Sequence, residues 1–222
     1  LRSHNGRKMN IYEAIYAIRD VRRFRPDPIP DDVLHRILDA AHHAGSVGFM
    51  QPWNFILTWE AAPRIRVKAM FERENTQSTK NYSGERRTLY ESLKLEGILE
   101  SPLNVCVTSD RRRGENVLGR NTIVDTDVFS TCLAVQNLRL AARAEGVGVG
   151  WVSILGNEEL SEILELPEEV VPVAYLCMGY PEEFTVAPLL ETVGWRDRLP
   201  LAEVIFEERY GNHAAKEGMG NG

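Results

Sequence analysis

Apolar residues step through the first third of the chain at helical spacing. Ile11, Ala14, Ile15 and Ile18 recur every three or four positions, which predicts a first helix ending near Arg19. The proline-rich turn RPDPIPDD follows. Asp31 or Asp32 can cap a second helix, with Leu34, Ile37, Leu38 and Ala41 as its apolar stripe. Residues 54–59 read as a strand, and 64–74 and 85–100 as helices, the latter highly charged. PLNVCVT, from Pro102, is a second strand bounded by a proline and a charged turn. Residues 128–145 form a long helix that is apolar on most faces, the mark of a helix covered on nearly all sides. VGVGWVSI and VVPVAYLCMGY are two further strands, joined by a short helix over 158–164. The sum is an α+β fold, a mixed sheet wrapped by helices. A helix that apolar in a chain of 222 residues suggests that a second subunit supplies cover.

One domain over 10–210 is expected, with flexible ends at 1–9 and 211–222. Hydrophobic content of 43% and charged content of 26% are ordinary for a globular protein. A formal charge of −6 argues against nucleic acid as the main partner. No run approaches a membrane span, and the first ten residues lack the apolar core of a signal peptide. Cys106, Cys132 and Cys177 sit in apolar runs and read as buried free thiols, in keeping with a cytoplasmic setting.

Candidate chemistry begins with RDVRRF. If the first helix continues, Arg19, Arg22 and Arg23 converge on one anion; otherwise they are a solvated charged face, which spacing alone favours. Asp20 is by default their salt-bridge partner. Arg196 and Arg198, two apart in GWRDRLP, point the same way in an extended segment. EGVGVGW is no dinucleotide fingerprint: Gly146, Gly148 and Gly150 leave a helix and enter a strand. They suggest a helix cap and a close approach to something flat. Ser153, read as part of that strand, is most simply a satisfied core hydroxyl. In GSVGFMQPWNF, the large apolar Phe49, Met50 and Trp53 occupy a loop, where they pack beneath it or wall a pocket. His42 and His43 diverge on a helix, so no metal site is expected, and they complement the helix dipole. Glu96 and Glu100 read as solvated, and DRRRG as a surface turn.

In this order the segments PDPIPDDVLHRILDAAHHAGSVGFMQPWNF, DVFSTCLAVQNLRLAARAEGVGVGWVS and WRDRLPL resemble the FMN-dependent nitroreductase superfamily, over about residues 12–206. SVGFMQPWNF, SLKLEGI and ARAEGVGVGWVSI look closest to its oxygen-dependent dimethylbenzimidazole synthases, which serve cobalamin biosynthesis. The resemblance implies an intertwined α+β homodimer with FMN at the subunit interface. It places Arg19 and Arg22 at the FMN phosphate, joined by Arg198 and Arg196. It places Ser46 and Gln51 at the ribityl chain or ring, and Gly148, Gly150 and Trp151 where backbone amides approach the isoalloxazine. Phe49, Met50 and Trp53 would wall or floor that pocket. Ile18 departs from the family, which carries a basic residue there; either one phosphate contact is missing or Arg23 replaces it. Asp20, where reductases often carry serine, looks like the synthase pattern. The implied reaction consumes reduced FMN and O2, with Asp20 as acid/base and Ser153 positioning flavin or oxygen. NAD(P)H would act indirectly, through a flavin reductase, and residues 86–96 could form a lid. The alternatives are an NAD(P)H-dependent nitroreductase or flavin reductase that retains FMN, and a non-catalytic flavin-binding module.

Overall fold

In this computed structural model, which describes residues 9–115 and 117–213, the chain divides after Phe184 into two compact units. Of the ends expected to be flexible, residues 1–8 and 214–222 lie outside the described residues.

The first unit is organised by a sheet of four strands: β1 (Trp53–Thr58), β2 (Leu103–Asp110), β3 (Gly148–Val152) and β4 (Val170–Gly179). Their order is β1-β2-β4-β3, and every ladder is antiparallel. The mixed character expected of the sheet enters only at its edge, where Asp20 bridges Val149 in parallel. β2 is buried along its whole length, as a central strand covered on both faces must be. One face carries Trp53, Val105, Val107 and Leu176 against α2 (Asp31–His42) and α5 (Thr126–Ala144). The other carries Cys106, Tyr175 and Cys177 against α3 (Ala61–Thr79) and α6 (Asn157–Ile163). The stripe expected of α2 is the one it buries, with Leu38 at its margin, although Pro30 rather than an aspartate holds the N-cap position.

Several boundaries moved for physical reasons. α1 (Ile11–Ala17), opened by an Asn10–Glu13 capping box, stops at Ala17 rather than near Arg19. Pairing with the sheet pulls the chain out of the helix: the Val21 amide donates to the Val149 carbonyl at 3.0 Å. α4 (Gly84–Ser92) ends eight residues before the expected Glu100. Beyond it Glu96 turns inward and accepts from Lys68 Nζ at 2.8 Å and from the Ile98 amide at 2.7 Å. It is therefore buried, not solvated. Buried Arg64 holds the same turn through the carbonyls of Ile98 and Leu99. Within its own chain α5 buries Ala134, Val135 and Leu138 but exposes Phe129, Cys132 and Leu133, so Cys132, unlike Cys106 and Cys177, is not buried by its own chain.

The second unit holds α7 (Leu189–Thr192), a 3-10 turn over Leu201–Glu203, and a bridge between Phe206 and His213. Among the described residues no helix is long and apolar enough to cross a membrane.

Candidate functional site

The residues of RDVRRF form an extended edge segment, not a helix face. Residues two apart then share a side, so Arg19, Arg22 and Arg23 do not line up as helical spacing suggested. Arg22 folds back onto β3, donating to the Trp151 carbonyl at 3.1 Å and the Val21 carbonyl at 3.2 Å. Arg19 donates to the Tyr16 and Ile18 carbonyls at the end of α1. Arg23 is exposed.

Asp20 is the hub of this segment. Its Oδ1 accepts from the Trp151 amide at 3.0 Å and from Arg139 Nη2 at 3.1 Å, and lies 3.7 Å from Arg22 Nη1. Arg143, one turn beyond Arg139 on α5, donates to the Ala17 carbonyl at 3.2 Å and stacks over Phe184 at 3.9 Å. Burial, and then the neighbouring Arg19, hold Arg143 below the usual guanidinium range. Arg139 and Arg143 were invisible as site residues from local motifs. The available signal was two cations four apart in an otherwise apolar helix, a placement that needs partners.

The glycines of GVGVG serve the chain itself. Gly146 (φ 77) closes α5 in a Schellman cap: its amide donates to the Arg143 carbonyl and that of Val147 to the Ala142 carbonyl. A Cβ on Gly150 would lie 2.1 Å from the Val21 carbonyl oxygen. Val21 and Arg22 thus come close to these glycines, and the Trp151 amide donates to Asp20.

β3 ends at Val152, so Ser153 follows the strand and is exposed rather than a core hydroxyl. It borders a cavity of about 190 Å³ whose walls include Trp151, Leu155, Leu160 and Tyr175.

Ser46 and Gln51 bracket a tight loop. The Gln51 amide donates to Ser46 Oγ at 3.2 Å, and the Val47 amide to Ser130 Oγ at 3.1 Å. Phe49 and Gln51 both have positive φ, 55 and 46, a strain that persists only where neighbours impose it. Arg113, from the run read as a surface turn, ties down the end of this loop by donating to the carbonyls of Gln51 at 3.0 Å and Trp53 at 2.9 Å. Of the three large apolar residues here, Met50 and Trp53 are buried and only Phe49 is exposed. Trp53 packs beneath the loop as part of the core, with its Nε1 donating to His42 Nδ1 at 3.1 Å.

Arg196 and Arg198 lie in the second unit, both exposed in an irregular segment.

The profile of the Nitroreductase family matches residues 15–180. A 5,6-dimethylbenzimidazole synthase of Rhodospirillum rubrum is 42% identical over 82% of this chain and 87% of its own length. One from Rhodobacter capsulatus is 39% identical over 82% and 88%. Among solved structures, oxidized iodotyrosine deiodinase bound to FMN and 3-iodo-L-tyrosine superposes with a TM-score of 0.69 at 21% identity, covering 90% of this chain and 99% of the other, a likeness of fold. By a profile that spans its whole sheet and by identity to full-length relatives, the chain belongs to the nitroreductase family.

Proposed function

We propose that this protein is a 5,6-dimethylbenzimidazole synthase, which fragments reduced FMN with O2 to make the base used in cobalamin biosynthesis. The observation that carries the reading is its likeness, along most of both chains, to two proteins named for that reaction. The residues fit the ligand. Arg22 stands beside a single carboxylate, Asp20, in a segment with more cations than acids, which suits a phosphate. Arg19 and Arg23 belong to the same segment. The roles of Arg196 and Arg198 toward the phosphate rest on family resemblance alone.

When bound, reduced FMN supplies the ring carbons of the product and the electrons that O2 accepts. The protein supplies position and proton transfer. Binding energy from the phosphate end orients the reacting ring. Asp20 is the acid/base: Oδ1 is tied to Trp151 and Arg139, which leaves Oδ2 to exchange a proton with the ligand. Ser153, exposed beside its cavity, donates a hydrogen bond to the ring or to oxygen. Ser46 and Gln51, bonded to each other and held through the Gln51 carbonyl by Arg113, present a preset loop to the ribityl chain. The exposed stripe of Phe129 and Leu133, with Tyr12 and Tyr16 of α1 also bare, supports a homodimer in which a second copy covers them. A separate flavin reductase using NAD(P)H, in the cytoplasm, would supply the reduced flavin.

The test is to incubate purified protein with FMN, NADPH and a flavin reductase in air. Dimethylbenzimidazole should accumulate as FMN disappears. A yellow protein that oxidises NADPH by itself and leaves FMN intact would be a reductase. Binding of FMN without any turnover would leave only a flavin-binding module.

A further inference from the structure

Arg139 stands apart from the arginines of the edge segment. It projects from α5 with its side chain 17% exposed, and its Nη2 donates to Asp20 Oδ1. Its Nε is buried and meets no hydrogen-bond partner. Among the described residues its ion pair is with Asp20. A guanidinium this enclosed is retained at a cost, and its charge is offset by that one carboxylate.

From the other side, Asp20 receives three groups on a single oxygen: the amide of Trp151 from β3, the guanidinium of Arg139 from α5, and Arg22 from its own segment. The backbone beside it is fixed by the Val21–Val149 hydrogen bond. Donors from three directions leave the carboxylate little freedom to rotate, although the side chain is 44% exposed. Without Arg139, the remaining ties are the Trp151 amide and Arg22, whose Nη1 at 3.7 Å is beyond hydrogen-bond range and whose own hydrogen bonds go to carbonyls, and a carboxylate that exposed can swing into water.

We infer that Arg139 is the positioning residue for Asp20: it acts through the carboxylate, holding Oδ1 against β3 so that Oδ2 faces the ligand. The catalytic part of this inference rests on Asp20 being the acid/base proposed above; the positional part does not. Arg143 provides the contrast. It lies on the same helix but ties the end of α1 through the Ala17 carbonyl and does not pair with Asp20.

Arg139→Met and Arg139→Lys, with Arg143→Met as comparison, test it through three readouts. The first is exchange of the Trp151 amide hydrogen, followed by NMR without ligand. The Met variant should speed that exchange on the order of tenfold as the Asp20 acceptor becomes mobile. Lysine, which keeps the charge, should restore part of the protection, and Arg143→Met should leave it near native. The second is the rate of dimethylbenzimidazole formation at saturating reduced FMN, expected to fall by about a hundredfold in Arg139→Met. The third is FMN affinity, expected to stay at the wild-type value. Native exchange at Trp151 in Arg139→Met overturns the inference. So does a loss of FMN affinity as large as the loss of rate, since Arg139 would then bind the ligand directly. If the Met variant does not fold, the same exchange and rate measurements on Arg139→Lys decide, with wild-type values in both overturning it. A wild-type protein that makes no dimethylbenzimidazole would sink the synthase reading, while exchange at Trp151 still decides what Arg139 holds.

Discussion

Gly150 and the carbonyl oxygen of Val21 approach so closely that a Cβ on residue 150 would sit 2.1 Å from that oxygen and 2.5 Å from Arg22 Nη1. No rotamer relieves this, because the obstacle is backbone. Either β3 or the edge segment must move, and Asp20 and Arg22 move with it. Gly150→Ala should therefore cost at least about 1–3 kcal/mol and weaken FMN binding. Gly156→Ala is the matched control, since its added Cβ would meet nothing closer than Met70 Sδ at 4.0 Å. Thermal unfolding and FMN titration of the two variants should separate clearly; equal behaviour would refute the close-approach account.

A buried acid pins the loop that precedes α5. Asp127 is fully buried; its Oδ2 accepts from Arg120 Nη2 at 3.0 Å and lies 3.9 Å from Arg111 Nη1. Removing one partner of such a pair strands the other charge. Asp127→Ala should destabilise the protein by about 3–5 kcal/mol in urea unfolding. Arg120→Met combined with Asp127→Leu should cost less than Asp127→Ala alone, because no uncompensated charge remains. A double variant worse than the single one would show that the pair is worth more than its desolvation.

What the sequence made legible follows from the range of the interactions involved. The α2 stripe of Leu34, Ile37 and Ala41, and the β2 and β4 runs, are set by burial on regular elements, so periodicity reveals them. α1 was read too long because the alternation in Ile18–Phe24 is short and the Val149 partner that makes it an edge lies far along the chain. Family resemblance pointed to Arg19, Asp20 and Arg22. It gave no account of Arg139, which becomes a site residue only when α5 packs beside the edge segment. At Gly148 and Gly150 the chain itself comes close, through Val21 and Arg22, a contact that spacing within EGVGVGW could not identify. Glu96 reads as solvated because nothing local says that Lys68 stands ready to satisfy it.

Asp110 couples stability to pH. Hydrogen bonding by the Arg112 side chain, only partly opposed by burial, holds its carboxyl below the usual value of 3.8. The carboxylate accepts from Arg112 Nε and Nη2, each at 2.8 Å, and from the Arg112 amide at 3.1 Å. A folded-state value lower than the unfolded one adds stability that is fully present above 3.8 and disappears as pH falls through the lower folded value. Wild type should thus exceed Asp110→Asn in melting temperature by a constant margin at neutral pH. The margin should shrink only in acid, as pH falls below 3.8 and through the lower folded value. A margin unchanged into strong acid would mean that the carboxylate's charge contributes nothing.

The three thiols differ in reach, and the difference reports on assembly. Burial pushes Cys106 and Cys177 up to about 12, so at pH 8 almost no thiolate forms at either, and neither is accessible. Cys132 is exposed on α5 between Phe129 and Leu133, the apolar stripe that the proposed homodimer covers. A chromogenic disulfide reagent should label one thiol per native chain, removed by Cys132→Ser, and all three in denaturant. The labelling rate of Cys132 should fall as protein concentration rises, because association hides its face. Substituting Leu133 by Lys should abolish that concentration dependence while leaving one fast thiol per chain, since an unpaired charge on the stripe opposes association. Fast labelling of two or more native thiols would contradict the burial of β2 and β4, and a Cys132 rate as fast as that in denaturant at every concentration would place the subunit interface elsewhere.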